Sequence, residues 1–90
     1  MRDAAKLTQE RGLTYGPFAA NALTSQHIKA SMRMLPQWDN LPLDIKESLE
    51  LIATKISRII GGDHDYLDNW DDIGGYAKLI ADRIRGKQDG

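Results

Sequence analysis

A chain of 90 residues with 12 basic and 13 acidic side chains carries a formal net charge of −1. That length bounds it to a single domain, residues 1–90, and the charge balance excludes non-specific nucleic-acid binding, which needs a basic surface. Without cysteine there is no disulfide or thiolate zinc site, so oligomerisation is the common reinforcement left for so small a core.

No apolar run approaches the roughly 20 residues of a membrane span, and no signal-peptide pattern opens the chain. The expectation is a cytoplasmic protein with no membrane partner. From the N-terminus, Arg2 to Arg11 is polar apart from Ala4, Ala5 and Leu7 and predicts a short helix ended by Gly12. So narrow an apolar stripe holds little, and residues 1–12 are expected to fray. Leu13 to Phe18 reads as a turn into a helix, with Gly16 free to take unusual backbone angles and Pro17 at the first helical position.

That second helix should run to about Met34 or Leu35, closed by Pro36. Phe18, Ala22, Ile28, Met32 and Leu35 fall on one side of it and Ala19, Leu23, Ala30 and Met34 on another. A helix apolar on two sides is buried on two sides, which points to a homo-oligomer, dimer or higher. Gln37 to Leu41 is a connector carrying Trp38, and Pro42 restarts a helix with Asp44 and Glu47 near its positive end.

Ile45, Leu49, Ile52, Ile56 and Ile59 keep helical spacing and form the expected core stripe, ended by Gly61-Gly62. Asp63 to Leu67 is a loop, and Asp68 is an N-cap with Asp71 three residues on. The last helix offers Trp70, Ile73, Ala77, Ile80 and Ile84 as its core stripe and should stop near Gly86, leaving 87–90 as a tail. The fold class is therefore all-α: three main helices, a short N-terminal one and a C-terminal antiparallel hairpin.

At about 100° per residue, Ser48, Leu51, Lys55 and Arg58 make a second stripe on the third helix, and Asp72, Tyr76, Leu79 and Arg83 one on the fourth. In an antiparallel pair both stripes fall on the same side, and the turn brings Lys55, Arg58, Asp72 and Tyr76 level. This cluster reads either as an interhelical salt bridge under a tyrosine or as an anion site. Lysine supplies a point charge and arginine a planar fork for phosphate, Trp70 or Tyr76 a face for a base, and the fourth helix free N–H groups.

Metal chemistry has less support. Glu47-x-x-Glu50 could hold magnesium only with a second acidic pair, and the aspartates lie at the far end of the hairpin. Asp63-His64-Asp65 opens like a calcium loop but lacks its glycine and an oxygen ligand at Leu67. His27 and His64 have no metal-ligand spacing, and no nucleophile-elbow pattern is present. No catalytic residue and no metal ligand is assigned.

Arg11, Tyr15, Gly16 and Phe18, then Trp38, then Ile52, Ala53, Lys55, Arg58 and Ile59, then Trp70, Asp72, Ile73, Gly75 and Tyr76 together make a pattern. It resembles a family of small tailed-phage and prophage proteins of unknown function, with a YG-x-F corner, an I-A-x-K-x-x-R-I helix and a W-x-D-I-x-G-Y helix. More distantly it is similar to the phage nucleotide-modification-associated helical domain and to MazG-like all-helical pyrophosphohydrolases. The last group needs facing acidic motifs, whereas Lys55 and Arg58 are basic here, so the resemblance implies phosphate binding more than hydrolysis.

Three functions follow as expectations. The first is a phage nucleotide- or phosphate-binding protein in the host cytoplasm, in nucleotide metabolism or sequestering a host-defence nucleotide, with Lys55, Arg58, Asp72, Tyr76, Tyr15 and Trp70 as the site. The second is a host-takeover protein that binds a host protein. The third is a pyrophosphohydrolase using magnesium on Glu47 and Glu50 with acids from another subunit.

Overall fold

A computed structural model describes residues 4–89, and the described residues form helices and turns without a strand. Of residues 1–12, which are expected to fray, 1–3 lie outside them, as does the final Gly90. Four helices, α1 (Ala4–Tyr15), α2 (Phe18–Arg33), α3 (Leu43–Gly61) and α4 (Leu67–Asp89), are joined with a 3₁₀ turn at Pro36–Asn40. The chain is all-α, as its periodicity predicts. No helix among the described residues is long and apolar enough to cross a membrane.

Packing explains the order. α3 is the middle helix: α2 packs on one side of it and α4 on the other, while α1 leans on α2 and α3. The α2–α3 seam is built from small side chains. Ser25, Ala53 and Ser57 are all buried, and the Ser57 hydroxyl donates to the Thr54 carbonyl at 2.7 Å, so it costs the seam no orphaned donor. Trp38, carried on the 3₁₀ turn that packs against α2, is the one aromatic side chain buried among the described residues.

Three helix ends differ from expectation: α4 begins at Leu67, which puts Asp68 in its first turn rather than at the cap, and two C-terminal ends run on. α1 does not stop at Gly12 but continues to Tyr15, and Gly16 takes the terminating role with φ 86°. Its N–H donates to the Gly12 carbonyl at 2.9 Å, closing the last turn. Likewise α4 does not stop near Gly86 and runs to Asp89. A glycine inside a helix costs about 1 kcal/mol relative to alanine, which is too little to end a 23-residue helix held against a neighbour. Pro17 and Pro42 sit one residue before their helices rather than as the first helical residue, with extended ψ of 132° and 151°.

The corner at Gly16 docks backbone to backbone on the end of α3. A Cβ at Gly16 would overlap the Gly61 carbonyl, and a Cβ at Gly62 would overlap the Thr14 carbonyl. Asp63 N–H donates to Thr14 O at 2.9 Å, and the Asn21 amide donates to the Tyr15 carbonyl. These contacts fix where α1 ends relative to α3. By contrast, a Cβ at Gly75 would meet nothing. Gly75→Ala is expected to raise the unfolding free energy by about 1 kcal/mol in urea denaturation, through helix propensity alone.

The apolar stripes are covered less than their spacing suggests. Of the ten stripe positions on α3 and α4, Ile59 is buried, whereas Leu49, Trp70, Ala77 and Ile84 are exposed. Phe18 and Leu23 on α2 and Met34 just past its end are exposed too, so neither of its apolar sides is closed over within the chain.

Candidate functional site

The clearest concavity is an open groove of about 800 Å³ between α1, α2 and α3. Each helix contributes side chains one turn apart: Arg11 and Tyr15 from α1, Ser25 and Lys29 from α2, Thr54 and Arg58 from α3. Residues at i and i+4 share a helix face, so three such pairs line three walls. Asn21 and Ser57 add polar atoms, and Gly16 and Pro17 form the upper lip with Phe18.

Charge in the groove is of one sign. Arg11, Lys29 and Arg58 line it, and none of its lining residues is an aspartate or glutamate. Lys29 Nζ donates to Thr54 Oγ1 at 2.8 Å, and that hydroxyl lies 3.4 Å from Ser25 Oγ. The Arg58 guanidinium carbon stands 5.0 Å from the Tyr15 ring centroid, a cation–π contact that orders the fork without neutralising it. Lys29 is held by a hydroxyl and Arg58 by a ring, contacts that bring no counter-charge.

Tyr15 is braced from the other side. Its ring meets Tyr66 edge-on, with centroids 5.6 Å apart. The neighbouring Tyr15 phenol, and after it the hydrogen bond to the Asp68 carboxylate at 3.1 Å, push the Tyr66 phenol up to about 12. The neutral phenol is thus favoured in the folded chain, while an unfolded tyrosine ionises near pH ~10. Its contribution to stability is fully present below about pH 10 and is lost as pH rises through about 12. A near-ultraviolet titration should show one tyrosine step in that high range, removed by Tyr66→Phe.

The predicted four-residue cluster divides. Lys55 Nζ pairs with Asp72 Oδ2 at 2.8 Å across the α3–α4 seam, the interhelical salt bridge that the sequence allows. Arg58, one turn on and about 60° further round α3, lines the groove instead. Tyr15 joins it there. Tyr76 and Trp70 do not line the groove; the Trp70 indole N–H donates to the His64 carbonyl at 2.8 Å. Asp44 and Arg83 form a second interhelical pair at 2.5 Å, on the same side of the seam as Lys55–Asp72.

Of the acidic candidates, Glu50 accepts from Arg33 at 2.8 Å, and Glu47 is exposed. No group of three metal-ligating side chains occurs among the described residues. The sequence reading missed Lys29, Ser25 and Thr54. The signal was present as i, i+4 spacing of Ser25–Lys29 and Thr54–Arg58, but nothing in one helix says which two faces will meet.

Comparison with protein-family models, with curated proteins and with solved structures found no match.

Proposed function

We propose that this chain binds a phosphate-bearing small molecule in the α1–α2–α3 groove, a nucleotide being the class that suits it best. The observation that carries this is the convergence of Arg11, Lys29 and Arg58 on one groove with no carboxylate lining it, in a chain of net charge −1. Arginine forks and a lysine ammonium are the usual phosphate ligands, and hydroxyls such as Thr54 and Ser25 supply further donors. The volume of about 800 Å³ lies within the range of small-molecule sites. Tyr15, Phe18 and Ala22 give it an apolar side suited to a base or sugar.

The phage-family resemblance supports the same place, because its corner residues Arg11, Tyr15, Gly16 and Phe18 and its helix residue Arg58 all line the groove. In that reading the protein acts in phage nucleotide metabolism or sequesters a host-defence nucleotide. The working unit is a homo-oligomer, supported by the large apolar side chains left exposed on every helix.

A thermal-shift screen tests the ligand class, using nucleoside mono-, di- and triphosphates, cyclic nucleotides, pyrophosphate and inorganic phosphate. A ligand at about 100 times its Kd stabilises by about 2.7 kcal/mol, several degrees for a domain of this size. A rise with nucleotides beyond that given by phosphate alone supports the reading. A flat response from folded protein to every phosphate compound contradicts it.

A further inference from the structure

The stripe on α3 and α4 that should be core is not closed over by the chain itself. Along α3, Ile45, Leu49, Ile52, Ile56, Ile59 and Ile60 fill one continuous arc of about 100° without a charge. On α4, Trp70, Ile73, Ala77 and Ile84 share an uncharged arc in the same way. The two ion pairs Lys55–Asp72 and Asp44–Arg83 occupy one side of the seam. The two apolar arcs therefore meet on its other side. There Leu49 is 39% exposed, Ile60 72%, Trp70 53% and Ile84 40%.

The excess surface has the size of an interface. A compact monomer of 10.1 kDa should expose about 5,300 Å². The chain exposes 6705 Å², about 1,400 Å² more. Obligate homodimers bury about 2,000 Å² or more in total, so about 1,000 Å² per chain suffices. Shape agrees: the radius of gyration is 15.7 Å, against about 12 Å for a compact chain of this length.

We infer that the uncharged side of the α3–α4 hairpin is the seat of a second copy of this chain. The two hairpins pack apolar side to apolar side about a two-fold axis, with Leu49, Ile56, Ile60, Trp70, Ile73 and Ile84 at the contact. The same patch on both chains is what a closed dimer requires, and a four-helix layer buries what neither chain buries alone. This rests on the homo-oligomer reading and is independent of the ligand. Thr54 and Arg58 lie about 170° and about 150° around α3 from the centre of the apolar arc, so both grooves stay open in the dimer.

Sedimentation equilibrium of the full chain, with Ile60→Glu, Leu49→Glu and Leu23→Glu, tests the surface; circular dichroism reports helicity. Leu23 is as exposed as the stripe but lies on α2. The wild type is expected at twice its 10.1 kDa mass, with a Tm that rises with concentration. Ile60→Glu and Leu49→Glu should weaken association about 100-fold or more, since each buries two unpaired carboxylates per dimer, and Leu23→Glu should leave it unchanged. Should Leu49→Glu lose its helicity, Ile60→Glu decides, because that side chain stands mostly in solvent.

A wild type that stays at 10.1 kDa overturns both the surface and the oligomer reading. A wild-type dimer that survives both stripe substitutions, or dissociates on Leu23→Glu instead, overturns the surface and leaves the oligomer standing. Nucleotide binding by any of these variants bears on the groove alone.

Discussion

Gly16→Ala is expected to lower the unfolding free energy by about 3 kcal/mol or more, a large effect for a single methyl group. Two costs combine. At φ 86° a side chain adds roughly 1–2 kcal/mol of backbone strain. The new Cβ would also overlap the Gly61 carbonyl, which is backbone and cannot rotate away. Relief requires the corner to lift off α3, which sacrifices the Asp63 to Thr14 hydrogen bond and the Asn21 contacts. Gly12→Ala is the matched control, because its Cβ would meet nothing and it lies within α1. It should be neutral or stabilising by up to about 1 kcal/mol. Urea unfolding of the pair checks both, and a Gly16→Ala midpoint close to wild type would mean that the corner does not dock on α3.

Arg58→Ala should weaken nucleotide binding by about 10- to 100-fold, the worth of one or two charged hydrogen bonds to phosphate. Arg58→Lys should recover only part of this, since a point charge replaces a planar fork stacked on Tyr15. Lys55→Met gives the contrast. Lys55 is spent on Asp72, so its loss should cost about 1 kcal/mol of stability and leave affinity within about twofold. Calorimetric titration of the three variants with the best nucleotide from the screen reads these differences. Equal losses from Lys55→Met and Arg58→Ala would return the site to the α3–α4 seam.

What the sequence showed and what it hid divide along physical lines. Helix positions were legible because Pro17, Pro36, Pro42 and the Gly61-Gly62 pair punctuate strong periodic runs. Gly12 and Gly86 misled, because a lone glycine weakens a helix without ending it when neighbours hold the ends. The Lys55–Asp72 pair was legible because two antiparallel helices joined by a short loop have a fixed register. The groove was not. Arg58 sits one turn from Lys55 and shares its stripe, yet the angle between them sends one to α4 and the other to α1 and α2. Only the Gly16 corner seated on Gly61 decides that Tyr15 and Arg11 will be there to meet it.

The stripe on α3 and α4 teaches a related point. Periodicity states that Leu49, Ile56, Trp70 and Ile84 avoid water, and it cannot say whether the cover comes from the same chain. Within the chain Ile59 is buried while Leu49 and Trp70 stay open, so the pattern encodes more interior than one copy possesses.

The phosphate-binding groove is tested most directly by a nitrogen-15 NMR titration of the wild-type protein with a nucleoside triphosphate and, separately, with inorganic phosphate. Gly12, Gly16, Asn21, Ser25 and Arg58 line the groove, and the backbone amides of the first two and of Ser25, the Asn21 side-chain amide and the Arg58 Nε–H report on it. They should shift together along one binding curve, tighter for the nucleotide, while Gly74 and Gly75 stay in place. Shifts confined to the Lys55–Asp72 side of the hairpin, or none at all at millimolar nucleotide, would contradict a phosphate-binding groove.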